Sequence, residues 1–280
     1  YGDMDDYARD KAAIGTGADS QAILVLGAPS AWEAMFRRSW PGRLADGWGA
    51  RPDLETGISW ESETGPIRIR QDGWSATLFS ETPGERGPRG RNRALAALCL
   101  HLLGADTATA AEGARAYPGI PHRMELIGKD GESRRFYNDS AATVPEAVVA
   151  AVESLDCPPV LICGGTDKDL SYARFAELAD RIAALVLLEG SATAKIRAAV
   201  VAGMSQDADT DQRGLPVAGP FRSLSACLDA ALELAGRGTP VLLSPGCASF
   251  ELFRNEFDRG DQFRALVEGH LARSAGTGVG

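Results

Sequence analysis

The chain has 280 residues, enough for one large domain or two ordinary ones. With 44% hydrophobic and 24% charged residues it has the balance of a soluble globular protein. A net charge of −9 with no basic stripe argues against nucleic acid and anionic membrane as partners.

Residues 5–14 read as the end of a helix, broken by Gly15, Gly17 and Asp19. Residues 22–27 form a short apolar strand. Residues 40–90 are irregular and β-rich, with alternating segments at 58–60, 67–69 and 76–79. Helices follow at 92–103 and 105–116. At 117–123, Tyr-Pro-Gly-Ile-Pro-His-Arg places two prolines and a glycine together, as a hinge does. One domain is therefore expected over 1–120 and a second over 121–280. Beyond the hinge, strands are expected at 124–127, 134–137, 160–163, 185–188, 216–217 and 241–244. Helices are expected at 145–154, 172–183, 192–202, 224–235 and 259–272. Segments such as 159–163, Pro-Val-Leu-Ile-Cys, are apolar throughout, which suits strands covered on both faces. The alternation predicts an α/β fold with a doubly wound, mostly parallel, Rossmann-like sheet. Residues 204–214 are polar and acidic and read as a surface loop.

The apolar runs, such as 182–188, are too short to span a bilayer, and no secretory leader pattern is present. Five cysteines (Cys99, Cys157, Cys163, Cys227, Cys247) show no paired spacing and read as buried free thiols of a cytoplasmic protein. The histidines His101, His122 and His270 make no metal-type cluster. Lysine occurs only at 11, 129, 168 and 195, while the other basic positions are arginines, so a lysine can mark a task that arginine cannot do.

Ligands of open parallel sheets bind beyond the carboxyl ends of the strands, and three such loops stand out. In the first, Tyr137-Asn-Asp-Ser-Ala-Ala-Thr143, Thr143 and Glu146 match a capping box with Pro145 just inside the helix. Asn138 and Asp139 then make either a plain turn or a carboxylate for a ribose or a metal-bound water. In the second, Gly164-Gly-Thr-Asp-Lys168, two glycines allow close backbone approach, and Lys168 sets a cation at the sheet edge. In the third, Ser244-Pro-Gly-Cys-Ala-Ser249, backbone N–H groups and the Ser249 hydroxyl suit an anion, or Ser249 is simply a helix cap.

In this order, Gly119-Ile-Pro-His-Arg123, Asn138-Asp-Ser-x-x-Thr143, Gly164-Gly-x-Asp-Lys168, Ser244-Pro-Gly-Cys-Ala-Ser249 and Phe253-Arg-Asn-Glu-Phe-Asp-Arg-Gly-Asp-Gln-Phe263 resemble the Mur ligases of peptidoglycan synthesis. The likeness is strongest to members that add glutamate to UDP-N-acetylmuramoyl-L-alanine. It implies a monomeric, ATP- and Mg2+-dependent ligase working through an acyl phosphate. It also implies that Lys11 holds magnesium as a carbamate, a reaction open to lysine and closed to arginine. His122, Arg123 and Asp139 are implied as catalytic, with Arg123 on the ATP phosphates, Asp139 on the ribose or a nearby water, and Asn92 near the adenine. Thr143, Lys168 and Ser249 would hold the carboxylates of the amino acid, and Arg259 would support the last loop.

The family's phosphate loop, G-x-x-G-K-[ST], is not found. The one Gly-Lys pair, Gly128-Lys129, falls in an expected hairpin. Residues 1–120 are therefore expected to be the C-terminal remnant of a central ATP-binding domain, in a piece that lacks the UDP-binding domain and is inactive alone. Three positions depart from the family pattern: Ala141 where a lysine is usual, residues 87–93 without a histidine, and Glu256 where an aromatic residue is usual. Two of them lie around the amino-acid site and open the alternative of L-glutamate in place of D-glutamate; another ligase of the same superfamily, such as a folylpolyglutamate synthase, is a second alternative. A binding module without catalysis is the remaining alternative.

Overall fold

The computed structural model describes residues 3–15, 17–19, 21–26, 33–49, 56–59, 66–71, 73–79, 88–204 and 214–276. They divide between two units, Tyr1–Pro118 and Gly119–Gly280. The first contains α1 (Met4–Ala12), β1 (Ile23–Leu26), α2 (Glu33–Ser39), β2 (Arg43–Gly49), β3 (Gly57–Ser59), β4 (Ile67–Gln71), β5 (Trp74–Phe79), α3 (Pro88–Leu102) and α4 (Thr107–Ala116). Its strands lie in the order β1-β2-β3-β4-β5, the first three parallel and the last two antiparallel. Ile58, Ile67, Ile69 and Leu78 meet Ala94, Ala97 and Leu98 of α3 and Ala110, Ala111 and Ala114 of α4 in one core. Asp3 caps α1 through the Asp6 N–H, and Asp106 caps α4 through the Thr109 N–H, each satisfying an N–H that the helix leaves open.

The second unit contains β6 (Glu125–Lys129), β7 (Arg135–Asn138), α5 (Pro145–Glu153), β8 (Val160–Cys163), β9 (Ala184–Leu188), α6 (Thr193–Ala202), β10 (Val217–Phe221), α7 (Leu224–Leu234), β11 (Val241–Leu243) and α8 (Glu256–Gly276). The sheet order is β10-β9-β8-β11-β7-β6, and every pairing is parallel except the β6–β7 hairpin. The expected α/β, mostly parallel sheet is thus present. Every residue of β8, β9 and β11 is buried. One face is covered by α5, a 3-10 segment and α6, the other by α7 and α8. Asp130 closes the β6–β7 hairpin, accepting from the Glu132 and Arg134 N–H groups and from Arg134 Nε. Gly128-Lys129 lies inside β6, as the hairpin reading expected.

Three local expectations are corrected. The helix expected at 172–183 is a 3-10 segment, Ala173–Leu178. Its buried residues Tyr172, Phe175 and Leu178 recur every third position, the spacing that a three-residue turn stacks on one edge. The capping box does not form: Pro145 takes the first helical position, so Val144, in extended backbone, becomes the cap, and no side chain caps α5. Cys163, Cys227 and Cys247 are buried free thiols, but Cys157 is half-buried and Cys99 exposed. The strand ends expected at Gly27 and Trp60, and most of the 204–214 loop, fall outside the described residues. Among the described residues no helix is long and apolar enough to cross a membrane.

Candidate functional site

Strands β8, β11 and β7 are parallel neighbours, so the loops after them leave the same edge of the sheet. The loops are also tied to each other. Gly164 N–H donates to Pro245 O (3.0 Å), Gly246 N–H to Ala142 O (2.9 Å), and Thr166 and Ala248 exchange two backbone hydrogen bonds (2.9 and 3.1 Å). At Gly165 (φ +138) a side chain would meet the Ala248 carbonyl 2.5 Å away, so the close approach of two loops requires glycine.

Arg259, on the first turns of α8, is wholly buried beneath them. Its Nε donates to Ser140 Oγ (3.0 Å), Nη2 to Ser140 O (2.9 Å) and Cys247 O (3.3 Å), and Nη1 to Cys247 O (3.3 Å) and Ala248 O (3.4 Å). One guanidinium fork therefore fixes the β7 loop against the β11 loop. Burial lowers its proton affinity to a pKa of about 10, which leaves it a cation at neutral pH. Among the described residues no carboxylate lies within ion-pair distance of it. Cys247 and, less strongly, Glu256 oppose that lowering, and the Glu256 backbone carbonyl accepts from Ser140 Oγ (2.7 Å).

Ser249 sits in a recess shared with Gly165, Thr166 and Arg259. Its Oγ is, among the described residues, the one buried side-chain oxygen or nitrogen without a hydrogen-bond partner. Such a group normally finds one, and the recess around it is closed, with no room for a water-sized guest. It is not a helix cap. Lys168 is exposed, with its charge close enough to act on the Cys247 thiol. Its neighbours are anchored: Asp167 accepts from Asp169 N–H (3.0 Å), Tyr172 Oη (3.1 Å) and Lys195, and donates its own N–H to Ser191 Oγ (2.9 Å). Hydrogen bonding from Lys195 lowers the pKa of Asp167. Glu251 completes the set, accepting from Ser191 and donating its N–H to Thr166 Oγ1. Thr143 is half-buried on the β7 loop, one place outside the α5 cap.

Asp139 is buried at the end of β7. Its Oδ2 accepts from Ser244 Oγ (2.8 Å) and its Oδ1 from Met124 N–H (3.1 Å). Burial pushes its carboxyl up from 3.8 to about 6, against the pull of those two donors and of the Arg123 charge. His122, next to Arg123 in sequence, is buried. Its Nδ1 accepts from Asn138 Nδ2 (3.0 Å), and its ring edge faces Phe257. Arg123 is exposed.

Lys11 and Asn92 belong to the first unit. Lys11 is exposed near the end of α1, its ammonium 5.2 Å from the centre of the Tyr7 ring, and Asn92 is exposed on α3. Gly87 and the side chains of Arg89 and Arg91 lie outside the described residues. An ammonium is no metal ligand, and no group of three His, Cys, Asp or Glu able to hold a metal occurs among the described residues. The residues present do not by themselves make a metal site.

Sequence reading named the ends of this machinery but not its middle. Ser140, Ser244, Glu251 and Glu125 were passed over, although the first two stand inside the motifs quoted above. A hydroxyl next to a motif carboxylate was the available signal.

The fold and the loop cluster define an α/β domain whose β7 and β11 loops are joined at one sheet edge by a buried guanidinium. Residues 122–247 match the family profile described as Mur ligase, glutamate ligase domain, and the second unit is a Mur ligase C-terminal domain. The chain is 45% identical over 155 residues to the UDP-N-acetylmuramoylalanine–D-glutamate ligase of Roseiflexus sp. (strain RS-1), across 55% of this chain and 31% of that protein. It is 31% identical over 274 residues to the ligase of the same name from Aromatoleum aromaticum, across 95% of this chain and 54% of that one. The chain thus spans about a third to a half of these relatives. A solved bifunctional folylpolyglutamate synthase/dihydrofolate synthase with Mn, AMPPNP and L-glutamate bound shares the fold over 96% of this chain and 58% of that one, at a TM-score of 0.58 and 15% identity.

Proposed function

We propose that the full-length protein is an ATP-dependent ligase that joins glutamate to UDP-N-acetylmuramoyl-L-alanine in peptidoglycan precursor synthesis, and that the second unit presents the glutamate. The observation that carries this reading is the pairing of the unpartnered Ser249 hydroxyl with the buried, carboxylate-free Arg259. A buried cation and an unused hydroxyl lining one recess favour a carboxylate as its ligand, once the loops part to admit it. The names of the curated relatives supply the substrates.

In this account Ser249, Lys168 and Thr143 hold the carboxylates of the amino acid, and Arg259 keeps the Ser249 loop in register with the β7 loop. Arg123 meets the ATP phosphates, Asp139 the ribose or a water beside it, and Asn92 the adenine. His122 shapes the turn that carries Arg123. Residues 1–120 are the end of a central ATP-binding domain, and Lys11, once carbamylated, is one ligand of a divalent cation. The solved relative with AMPPNP, Mn and L-glutamate supports ATP and such a cation.

ATP supplies the phosphoryl group that makes the muramoyl-alanine carboxylate an acyl phosphate. The residues of this chain orient the glutamate amine for attack on that carbonyl carbon. The C–N bond forms, phosphate leaves with the C–O electrons, and the amine releases a proton. Glutamate's enantiomer depends on the neighbourhood of Ala141 and Glu256, where this chain departs from the pattern.

The test is product formation by the full-length protein with UDP-N-acetylmuramoyl-L-alanine, ATP and each enantiomer of glutamate. One enantiomer is expected to give UDP-N-acetylmuramoyl-L-alanyl-glutamate with ADP and phosphate. No product with either refutes the reading, and turnover with a pterin acceptor instead moves the protein to the folylpolyglutamate synthases.

A further inference from the structure

Arg123 sits in an unusual piece of backbone. Its two neighbours, His122 (φ 61) and Met124 (φ 45), both adopt the left-handed conformation that residues with side chains avoid. Such residues persist only where their surroundings over-determine them. Here the surroundings do so through two carboxylates. The His122 N–H donates to Glu125 Oε2 (2.9 Å), and the Met124 N–H donates to Asp139 Oδ1 (3.1 Å). The 121–122 and 123–124 peptides are thereby held, and the 122–123 peptide between them is held by backbone bonds to Ile120 O (3.2 Å) and from Ala141 N–H (3.0 Å), while among the described residues the Arg123 side chain itself makes no ion pair.

Glu125 is in turn held from α8. Arg264 donates through Nε to Oε1 (2.9 Å) and through Nη2 to Oε2 (2.9 Å), a two-pronged grip, while its Nη1 is anchored on Asp261 Oδ1 (2.8 Å). Asn138 Nδ2 adds a fourth donor to Glu125 (3.3 Å) and also donates to Gly260 O (3.0 Å). The His122 ring lies so close to Gly260 that any side chain at 260 would collide with it. The hydrogen bonds all act on the backbone around Arg123, while its guanidinium stays exposed and reaches Asp139 only through its charge. Packing alone gives no reason to clamp a strained turn around an exposed cation.

We propose that Arg264 is a positioning residue for Arg123: its grip on Glu125 fixes the 122–124 turn so that the Arg123 guanidinium is presented in one direction to a phosphate chain. The aim, though not the grip, rests on the proposed reading of Arg123 as the ATP-phosphate contact. Neither the sequence motifs nor the family resemblance assigns a task to Arg264.

Two measurements on the full-length protein test this. The first is amide hydrogen exchange. Arg264→Met is expected to release the His122 and Met124 N–H groups to fast exchange, with Arg264→Lys restoring part of their protection. Unchanged protection in Arg264→Met overturns the proposal whether or not the protein is a ligase. The second is steady-state kinetics. Arg264→Met is expected to raise KM for ATP about tenfold and leave KM for glutamate unchanged. Arg264→Lys recovers part of the loss, and Arg264→Met adds nothing in an Arg123→Ala background. Arg134→Met, which removes a comparable grip on the hairpin carboxylate Asp130, loses stability without moving KM for ATP. Equal rises in both KM values, or a full additional loss in the Arg123→Ala background, overturn the proposal. If instead Arg123→Ala leaves KM for ATP unchanged, it is the reading of Arg123 that fails, while hydrogen exchange still decides the grip.

Discussion

Asp139→Asn isolates the electrostatic cost of burying a carboxylate at the end of β7. Asn is nearly isosteric: its Oδ1 can keep the Met124 N–H, and its Nδ2 can donate to Ser244 Oγ, whose hydroxyl rotates to accept. The native carboxyl has its pKa raised from 3.8 to about 6, chiefly by burial. An acid raised on folding contributes stability that is fully present below the unfolded pKa and is lost as pH rises through the folded one. At about 1.4 kcal/mol per pH unit, the native protein loses about 2 kcal/mol between pH 4.5 and 8 from this group alone. The asparagine variant does not. Urea unfolding of the chain at both pH values, followed by far-UV circular dichroism, should therefore show Asp139→Asn gaining about 2 kcal/mol on the native protein as pH rises. Parallel stability curves would refute the reasoning, because they would mean that the carboxylate keeps its charge in the fold without penalty.

Arg259→Met should cost about 3 kcal/mol, since the Ser140 and Cys247 carbonyls lose their donor in a buried place, and Arg259→Lys should recover only part of it; urea midpoints measure both. Gly165→Ala should be more damaging than its size suggests, through collision with the Ala248 carbonyl and a positive φ, and should separate the β8 and β11 loops, visible as faster amide exchange at Thr166 and Ala248. Gly260→Ala should displace the His122 ring and cost about 2 kcal/mol of stability in the same urea assay.

The second unit was legible wherever burial is two-sided. The strand 160–163 was placed to the residue because Val160, Leu161, Ile162 and Cys163 are all apolar and all buried. The first unit was less so. Strand β2 carries Asp46 and two glycines and no clean alternation, so nothing set it apart within the irregular 40–90 stretch, and it is a strand because β1 and β3 pair with it on either side. The 3-10 segment at 173–178 was read as an α-helix because periods of 3.0 and 3.6 differ little over six residues. Thr143 and Glu146 had the spacing of a capping box, but the ring of Pro145 decided where the helix begins. At the site, the motif residues stood out by type and position. What they rest on did not. That Arg259 is buried without an anion, and that Ser249 keeps an unused hydroxyl, depend on loops meeting across a sheet edge, with Ser140 and Arg259 119 residues apart in the chain, a tertiary fact with no local signature.

The central claim is that the edge formed by the β7, β8 and β11 loops receives the carboxylates of an amino acid. The most direct test is the glutamate dependence of the full-length protein carrying Lys168→Ala or Ser249→Ala, with ATP varied in parallel. A hydrogen bond to a charged group is worth about 1.5–3 kcal/mol, so each variant should raise KM for glutamate at least about tenfold and leave KM for ATP unchanged. If glutamate KM stays at the native value in both variants, the anion-receiving edge is not the amino-acid site and the account is wrong.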